Sequence, residues 1–316
     1  MDGSACSDRG GSVVSTAVGA RLGAWKRFRR HGPAVAAAVV LVVLGLMALA
    51  FPLAESALGL QAETIDLLAR LAGPSWDHPI GTDELGRDLL LRLLQGAQVS
   101  LFVGLAAALV ATVIGAALGL AAGYFGGWLD AVLMRITDFV IALPLLPLLI
   151  VMAAADLSRL GLDADRPEHA TLRIILILAL VGWTTVARLA RGAALVVRER
   201  EYVQAARALG TGSTTILIRH VLPNALSPIV VAATLSVGNL ILTESVLSFL
   251  GLGIQPPLAS WGGMLTGAQG MIREAPQLAV WPGLLIFVTV VAFNVLGDGI
   301  RDAFDVEADV PGLRSR

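Results

Sequence analysis

Residues able to do chemistry are few in this chain, and they do not gather into a reaction centre. The one cysteine, Cys6, has no partner for an internal disulfide and forms no thiolate set for zinc. The four histidines, His31, His78, His169 and His220, are scattered without the spacing of a ligand pair, so no metal site is assigned. A G-x-x-x-x-G-K-[ST] loop, which would cradle phosphates, is absent, so ATP has no Walker-type site here. H-E-x-x-H and G-x-S-x-G are absent too. Together these absences argue against an enzyme, and no catalytic residue or cofactor site is assigned. Two polar features remain. One is a pair of single carboxylates, Glu244 and Asp298, near the edges of apolar stretches. The other is the run REREYVQAARALGTGSTTILIRHVLPN, from Arg198 to Asn224. The chemistry open to both is contact and docking rather than bond-making, and it depends on the elements that carry them.

Those elements are apolar. Hydrophobic residues fill 56% of the 316 positions and charged residues 15%, against about 25% charge in an ordinary soluble domain. A water-soluble fold of this length could not hide so much apolar surface, so lipid acts as solvent for part of it. Six stretches, each bounded by charge or turn residues, read as membrane helices. They run from Pro33 to Phe51, from about Val99 to Ala122, and from Phe139 to Ala155, the last broken by Pro144 and Pro147. The others run from Ile174 to Ala187, from about Ala225 to Thr243 and from about Gln277 to Gly297. The fourth is short, but Arg173 and Arg188 at its ends can snorkel to the interfaces and lengthen it. Ala48-Leu49-Ala50 resembles a signal cleavage site, yet the apolar run before it is too long and starts too far along the chain.

Basic residues orient the helices. They cluster before the first helix (Arg9, Arg21, Lys26, Arg27, Arg29, Arg30) and between the fourth and fifth (Arg188, Arg191, Arg198, Arg200, Arg207, Arg219). Arg135 lies between the second and third, and Arg301, Arg314 and Arg316 follow the sixth. The positive-inside rule then places both termini in the cytoplasm. The expected organisation is a cytoplasmic tail (1–32), a first transmembrane helix (33–54), an extracytoplasmic segment (55–97), the main transmembrane domain (98–303) and a C-terminal tail (304–316). Segments 156–170 and 251–276 are outside as well. Leu85, Leu89 and Leu93 recur at helical spacing and predict an interfacial helix within 55–97. Residues 1–20, rich in serine and glycine, are expected to be disordered.

Within the inside segment 188–224, the spacing predicts an amphipathic helix from about Glu199 to Leu209. Ala205 and Ala206 give it a small-residue spot where another backbone can approach. Gly210 ends the helix in the left-handed conformation. Thr211 and Gly212 turn the chain, Ile216 to Leu222 lead back to the bilayer, and Pro223 opens the fifth helix, where a missing N–H costs little. Gly115, Gly119 and Gly123 form a face for close packing in lipid. Pro144, Pro147, Pro228 and Pro282 are expected to kink helices lining a cavity. Inside such a membrane domain an acid is a functional candidate, which makes Glu244 and Asp298 candidates for a translocation path. His220 reads as a packing or hydrogen-bonding residue.

The Arg198–Asn224 stretch resembles the signature loop of ABC-importer permeases, written E-A-A-x3-G-x9-I-x-L-P. Ala205, Ala206, Gly210, Leu222 and Pro223 match at the required spacing, while Gln204 stands for the glutamate and His220 for the isoleucine. RHVLPN, from Arg219 to Asn224, is similar to the dipeptide/oligopeptide/nickel branch of that family. So are HPIGTDELGRDLLLRLLQGAQVSL from His78, ESVLSFLGLG from Glu244, SWGGML from Ser260 and NVLGDGIRDAFD from Asn294, although Val306 stands where the family continues with proline. The match is most like the second of the two permease subunit types. The resemblance implies an all-α membrane protein with six transmembrane helices, the transmembrane domain of a type I ABC importer. It implies that the 198–224 loop docks on a separate ATPase, with Glu201, Tyr202, Ala205, Ala206, Arg207, Gly210, His220 and Pro223 in the coupling role. It further implies a second homologous permease subunit, two ATPase subunits that carry the ATP and magnesium, and an extracytoplasmic binding protein delivering peptides, nickel or other small solutes. The chain itself would sit in the bacterial inner membrane, in contact with lipid and not with nucleic acid. An ion-driven carrier using Glu244 or Asp298 as its proton carrier would leave the 198–224 loop unexplained, and no inverted repeat supports it.

Overall fold

The structure, a computed structural model, describes residues 25–155 and 167–304. The expectations for residues 1–20, for most of 156–170 and for the C-terminal tail lie outside these. Nine helices of at least eight residues carry the described fold. They are α1 Gly32–Leu58, α2 Leu89–Phe125, α3 Gly127–Ala142, α4 Leu145–Ala154, α5 Pro167–Arg198, α6 Glu201–Ala208, α7 Ser213–Phe249, α8 Trp261–Ala268 and α9 Gln277–Phe304. Among the described residues there is no strand beyond one isolated bridge between Thr82 and Asp88. Five of these helices are long and apolar enough to cross a membrane, and α3 with α4 makes a sixth, broken span.

Packing follows small residues. On α2, Gly115, Gly119 and Gly123 face Trp183, Ala187, Ala190, Arg191 and Ala194 of α5, so the two backbones meet along a side-chain-free seam. On α7, Gly238 lies against Val290 and Phe293 of α9, and Gly297 of α9 lies against Leu235. These pairs run in opposite senses along the two chains, so α7 and α9 are antiparallel. Gly299 then receives Ala34 of α1, while His31 pairs with Asp302 at 3.5 Å and the Arg27 guanidinium donates to the Ala303 carbonyl. The start of α1 and the end of α9 therefore share the end of the bundle that carries α6. The starts of α2 and α8 and the end of α7 share the opposite end.

Four expectations need correction. The interfacial helix through Leu85, Leu89 and Leu93 does not form. Asp83 instead folds the stretch before Leu89 into turns, accepting hydrogen bonds from the Leu85 and Arg87 amides at 2.8 and 2.9 Å. Gly86 takes φ +74° where an added Cβ would strike the Asp66 carbonyl. Asp88 then caps α2 by accepting from the Leu91 amide at 2.8 Å, and Leu89 and Leu93 are core residues of a membrane-length helix. The third apolar stretch is two helices bent by 90° at Leu143–Pro144, because the residue before a proline is pushed out of the helical region. The fourth is not short: α5 spans 32 residues, and Arg188, Arg191 and Arg198 lie on it rather than in a loop. Of the four prolines expected around a cavity, Pro228 and Pro282 lie inside α7 and α9 and Pro144 caps α4, but none lines either of the two cavities described below.

Candidate functional site

The most exposed polar structure is α6 with its flanking turns. Arg200 takes an extended conformation before the helix; Glu201 stands in the first turn and Arg207 in the last, each signed to suit the helix dipole. The helix ends as its sequence predicts. Gly210 sits at φ +78°, its amide donates to the Arg207 carbonyl at 3.0 Å, and the Thr211 amide donates to the Ala206 carbonyl at 3.1 Å, the paired bonds of a Schellman end.

One face of α6 is inside and the other is free. Val203 is fully buried in a cluster with Tyr124, Val197, Ile216 and Val221, and Ala206 packs partly against the same cluster. Glu201, Tyr202, Gln204, Ala205, Arg207, Ala208, Leu209 and Gly210 are exposed. The small-residue spot is therefore Ala205, since Ala206 belongs half to the chain's own core. Leu209, at 85% exposure, is the residue that sequence reasoning passed over. Its signal was an apolar side chain immediately before the helix-ending glycine, out of phase with buried Val203.

The exposed face of α6 is tied to two membrane helices, and α5, which leads into it, is tied to two. The Arg207 guanidinium lies 5.5 Å from the centroid of the Tyr124 ring at the end of α2. Tyr202 and His220 place their rings 6.1 Å apart, joining α6 to the start of α7 and giving His220 the packing role expected of it. Arg198 donates to the Gly123 carbonyl at 3.0 Å, and Arg191 forms a two-pronged pair with Asp130 of α3, one arm at 2.7 Å. Pro223 follows directly on a widened turn, Leu217–Val221, of π type. A proline has no N–H to donate and its ring crowds the carbonyl four residues back, so the ladder opens by one residue there. The Asn224 side-chain amide donates to the His220 carbonyl at 2.6 Å.

The two acidic candidates lie far apart. Glu244 has no exposed surface and finds its partners inside the protein. Its carboxylate accepts from Ser248 at 2.7 Å, Ser100 at 3.3 Å and Ser245 at 3.4 Å. Those hydroxyls in turn accept from backbone amides: Ser248 from Ile254 at 3.1 Å and Ser100 from Trp261 at 3.2 Å. Glu244 is thus the hub that joins the end of α7 to α2 and to the turn before α8. Asp298 is exposed on α9, toward the α6 end. The structure does not bring the two together, and neither lines a cavity described here.

Two cavities among the described residues bear on function. One, of about 290 Å³, lies where the α3–α4 bend meets α5 and α7; Thr184, Thr185, Ser236, Asn239 and Thr243 interrupt its apolar wall. Beside it, one turn from Ile141 and Thr185, Asp138 and Arg188 form a half-exposed ion pair at 2.6 Å. The other, of about 620 Å³, opens at the far end between the 63–92 segment, the end of α7 and α8.

Sequence comparisons with known proteins assign the family. Residues 115–308 match the family described as binding-protein-dependent transport system inner membrane component, and residues 22–74 match the N-terminal TM domain of oligopeptide transport permease C. A protein of Brucella suis biovar 1 named as a peptide permease is 36% identical over 302 residues, covering 95% of both chains. The glutathione transport system permease protein GsiD of Shigella flexneri is 43% identical over 282 residues, 89% of this chain and 88% of that one. GsiD of Pectobacterium atrosepticum is 43% identical over 282 residues, 89% of each. The chain belongs to the binding-protein-dependent transport system inner membrane component family: it is a membrane-spanning permease subunit of an ABC importer, not an enzyme, and works with ATPase and substrate-binding subunits.

Proposed function

We propose that this subunit, paired with a second six-helix permease subunit and two ATPase subunits, moves peptide-like solutes from a binding protein across the bacterial inner membrane, and that α6 is where the ATPase takes hold. The observation that carries this is the construction of α6: one residue deep in the core, an exposed face of mixed charge and small residues, and ring contacts to the ends of α2 and α7. A partner that displaces such a helix displaces both membrane helices with it. Nucleotide acts through its different affinity for the two states of the ATPase pair, and α6 transmits that difference. ATP and magnesium belong to the partner subunits.

The α6 end carries Lys26, Arg27, Arg29, Arg30, Arg198, Arg200, Arg207, Arg219 and Arg301, which supports a cytoplasmic position for it and for both termini. The path runs along the face bearing Asn239, Thr243, Thr185 and the Asp138–Arg188 pair. Charges within a membrane helix face a water-filled space or a protein partner, not lipid. Cargo of peptide type is supported by the names of the relatives, one a peptide and one a glutathione permease. In the test, the tagged complex is purified in mild detergent with Ala205→Glu in this subunit. Ala205 is exposed, so the substitution leaves the bundle intact, and the expected result is loss of the ATPase with the second permease retained. An ATPase that stays bound at full stoichiometry in that variant would refute α6 as the docking site.

A further inference from the structure

We infer that the 620 Å³ cavity at the end remote from α6 is a receiving site for a small zwitterionic peptide, with Arg92 holding its C-terminal carboxylate. The inference rests on the importer reading above and goes further by assigning residues to the cargo.

The argument starts from an unsatisfied donor. Arg92 lines this cavity, is 6% exposed, and its Nη1 has no hydrogen-bond partner among the described residues. Leaving a charged donor buried without an acceptor is costly, so such a group marks a place where an acceptor arrives. The chain's own acid nearby is already committed. Asp83 pairs with Arg92 Nε at 3.3 Å and with Arg87 Nε at 2.7 Å, and its other oxygen takes two backbone amides. Shared between two guanidinium groups, Asp83 leaves an open cationic donor at Arg92 Nη1 in the buried part of the cavity.

The rim has the opposite sign. Glu63 is exposed, and Glu84 has only a 3.5 Å contact to Arg87. Gly267 of α8 makes room for the Glu84 carboxylate, since a Cβ there would lie 2.6 Å from its Oε1. Buried Leu89, Ile254 and Leu278 supply apolar wall between the two. A positive floor, an apolar middle and a negative rim match a short peptide with a free carboxylate at one end and a free ammonium at the other. A guanidinium suits the first because it offers paired donors to a carboxylate. The volume falls within the usual range for small-molecule sites, roughly 300–1,000 Å³.

The test uses the intact complex in lipid nanodiscs without binding protein, and equilibrium dialysis of trialanine, trialanine amide and N-acetyltrialanine. Trialanine is expected to bind saturably, the amide about tenfold or more weaker, and the acetylated peptide also weaker. Arg92→Gln should abolish the difference between acid and amide yet keep the preference for a free amine, which itself shows that the variant is folded. Glu63→Gln should do the reverse, and being exposed it carries little folding risk. Equal binding of acid and amide by the unaltered complex, no binding of either, or an acid preference surviving in Arg92→Gln would overturn the site. ATP-driven uptake is scored separately, with the same complex reconstituted into sealed proteoliposomes and supplied with its binding protein. A complex that transports but does not distinguish acid from amide rejects this site alone, whereas a preparation without ATPase and uptake rejects the importer reading.

Discussion

Substituting Gly119 by valine should unfold the bundle at lower temperature, because it fills the seam between α2 and α5. A Cβ at Gly119 would collide with the Ala187 carbonyl and sit 2.9 Å from the Ala190 Cβ. One turn on, a Cβ at Gly123 would lie 2.6 Å from the Arg191 carbonyl and 2.7 Å from the Ala194 Cβ. Ordinary Cβ contacts begin near 3.4 Å, so the helices must part by close to 1 Å. A gap of that size forfeits roughly a quarter to a half of the dispersion energy along the seam. Overpacking of this kind costs about 1–3 kcal/mol, and the gain in helix propensity on replacing glycine is below about 1 kcal/mol. In lipid no hydrophobic effect between helices compensates, so close contact is most of what holds the pair. The net loss for Gly119→Val is about 1–2 kcal/mol, a fall of a few degrees in Tm for a chain this long. The control is Gly45→Val on α1, where no atom lies within 4 Å of the added Cβ. Thermal unfolding in mild detergent, followed by tryptophan fluorescence, reads both, and Trp183 sits in the seam itself. Equal Tm values for the two variants would refute the seam as the source of stability.

Three further outcomes are expected. Glu244→Ala should destabilise by about 2 kcal/mol or more, since the Ser248 and Ser100 hydroxyls lose their acceptor, whereas Glu244→Gln, which keeps an acceptor for Ser248, should be milder and leave uptake intact. Loss of uptake in a stable Glu244→Gln protein would point to proton transfer instead. Gly210→Ala forces a left-handed φ on a side-chain-bearing residue at about 1 kcal/mol; ATP hydrolysis per transported solute should rise while Tm is nearly unchanged. Arg191→Leu leaves Asp130 unpaired and should lower Tm, and adding Asp130→Asn should recover part of the loss; an additive double variant would deny their coupling.

How far the sequence reveals this molecule depends on what each residue had to signal. Long apolar runs, the glycine face of α2 and the Gly210 helix end are local patterns, and each reads directly as the element it forms. The span of α5 does not, because Arg188, Arg191 and Arg198 look like loop residues until their partners on α2 and α3 are known. The Leu85–Leu93 helix misleads for a related reason: its period is right, but Asp83 and Asp88 capture the backbone amides first. For α6 the exposed face was legible from composition, while the split between Ala205 and Ala206 required the position of Val203. Glu244 shows the same limit. An acid in an apolar stretch advertises function, and only Ser100, brought in from α2, reveals that it is a joint.

The 90° break at Leu143–Pro144 bears on how this subunit survives before assembly. The last carbonyls of α3 have no following helical turn to donate to them, and the break borders the smaller cavity through Leu143 and Leu145. Hydrocarbon cannot satisfy such groups, so this face is a flaw in any copy left alone in the bilayer. With the second permease subunit proposed above covering this face, surplus copies of this chain would be targets for membrane proteases, and matched synthesis of that partner would protect the chain.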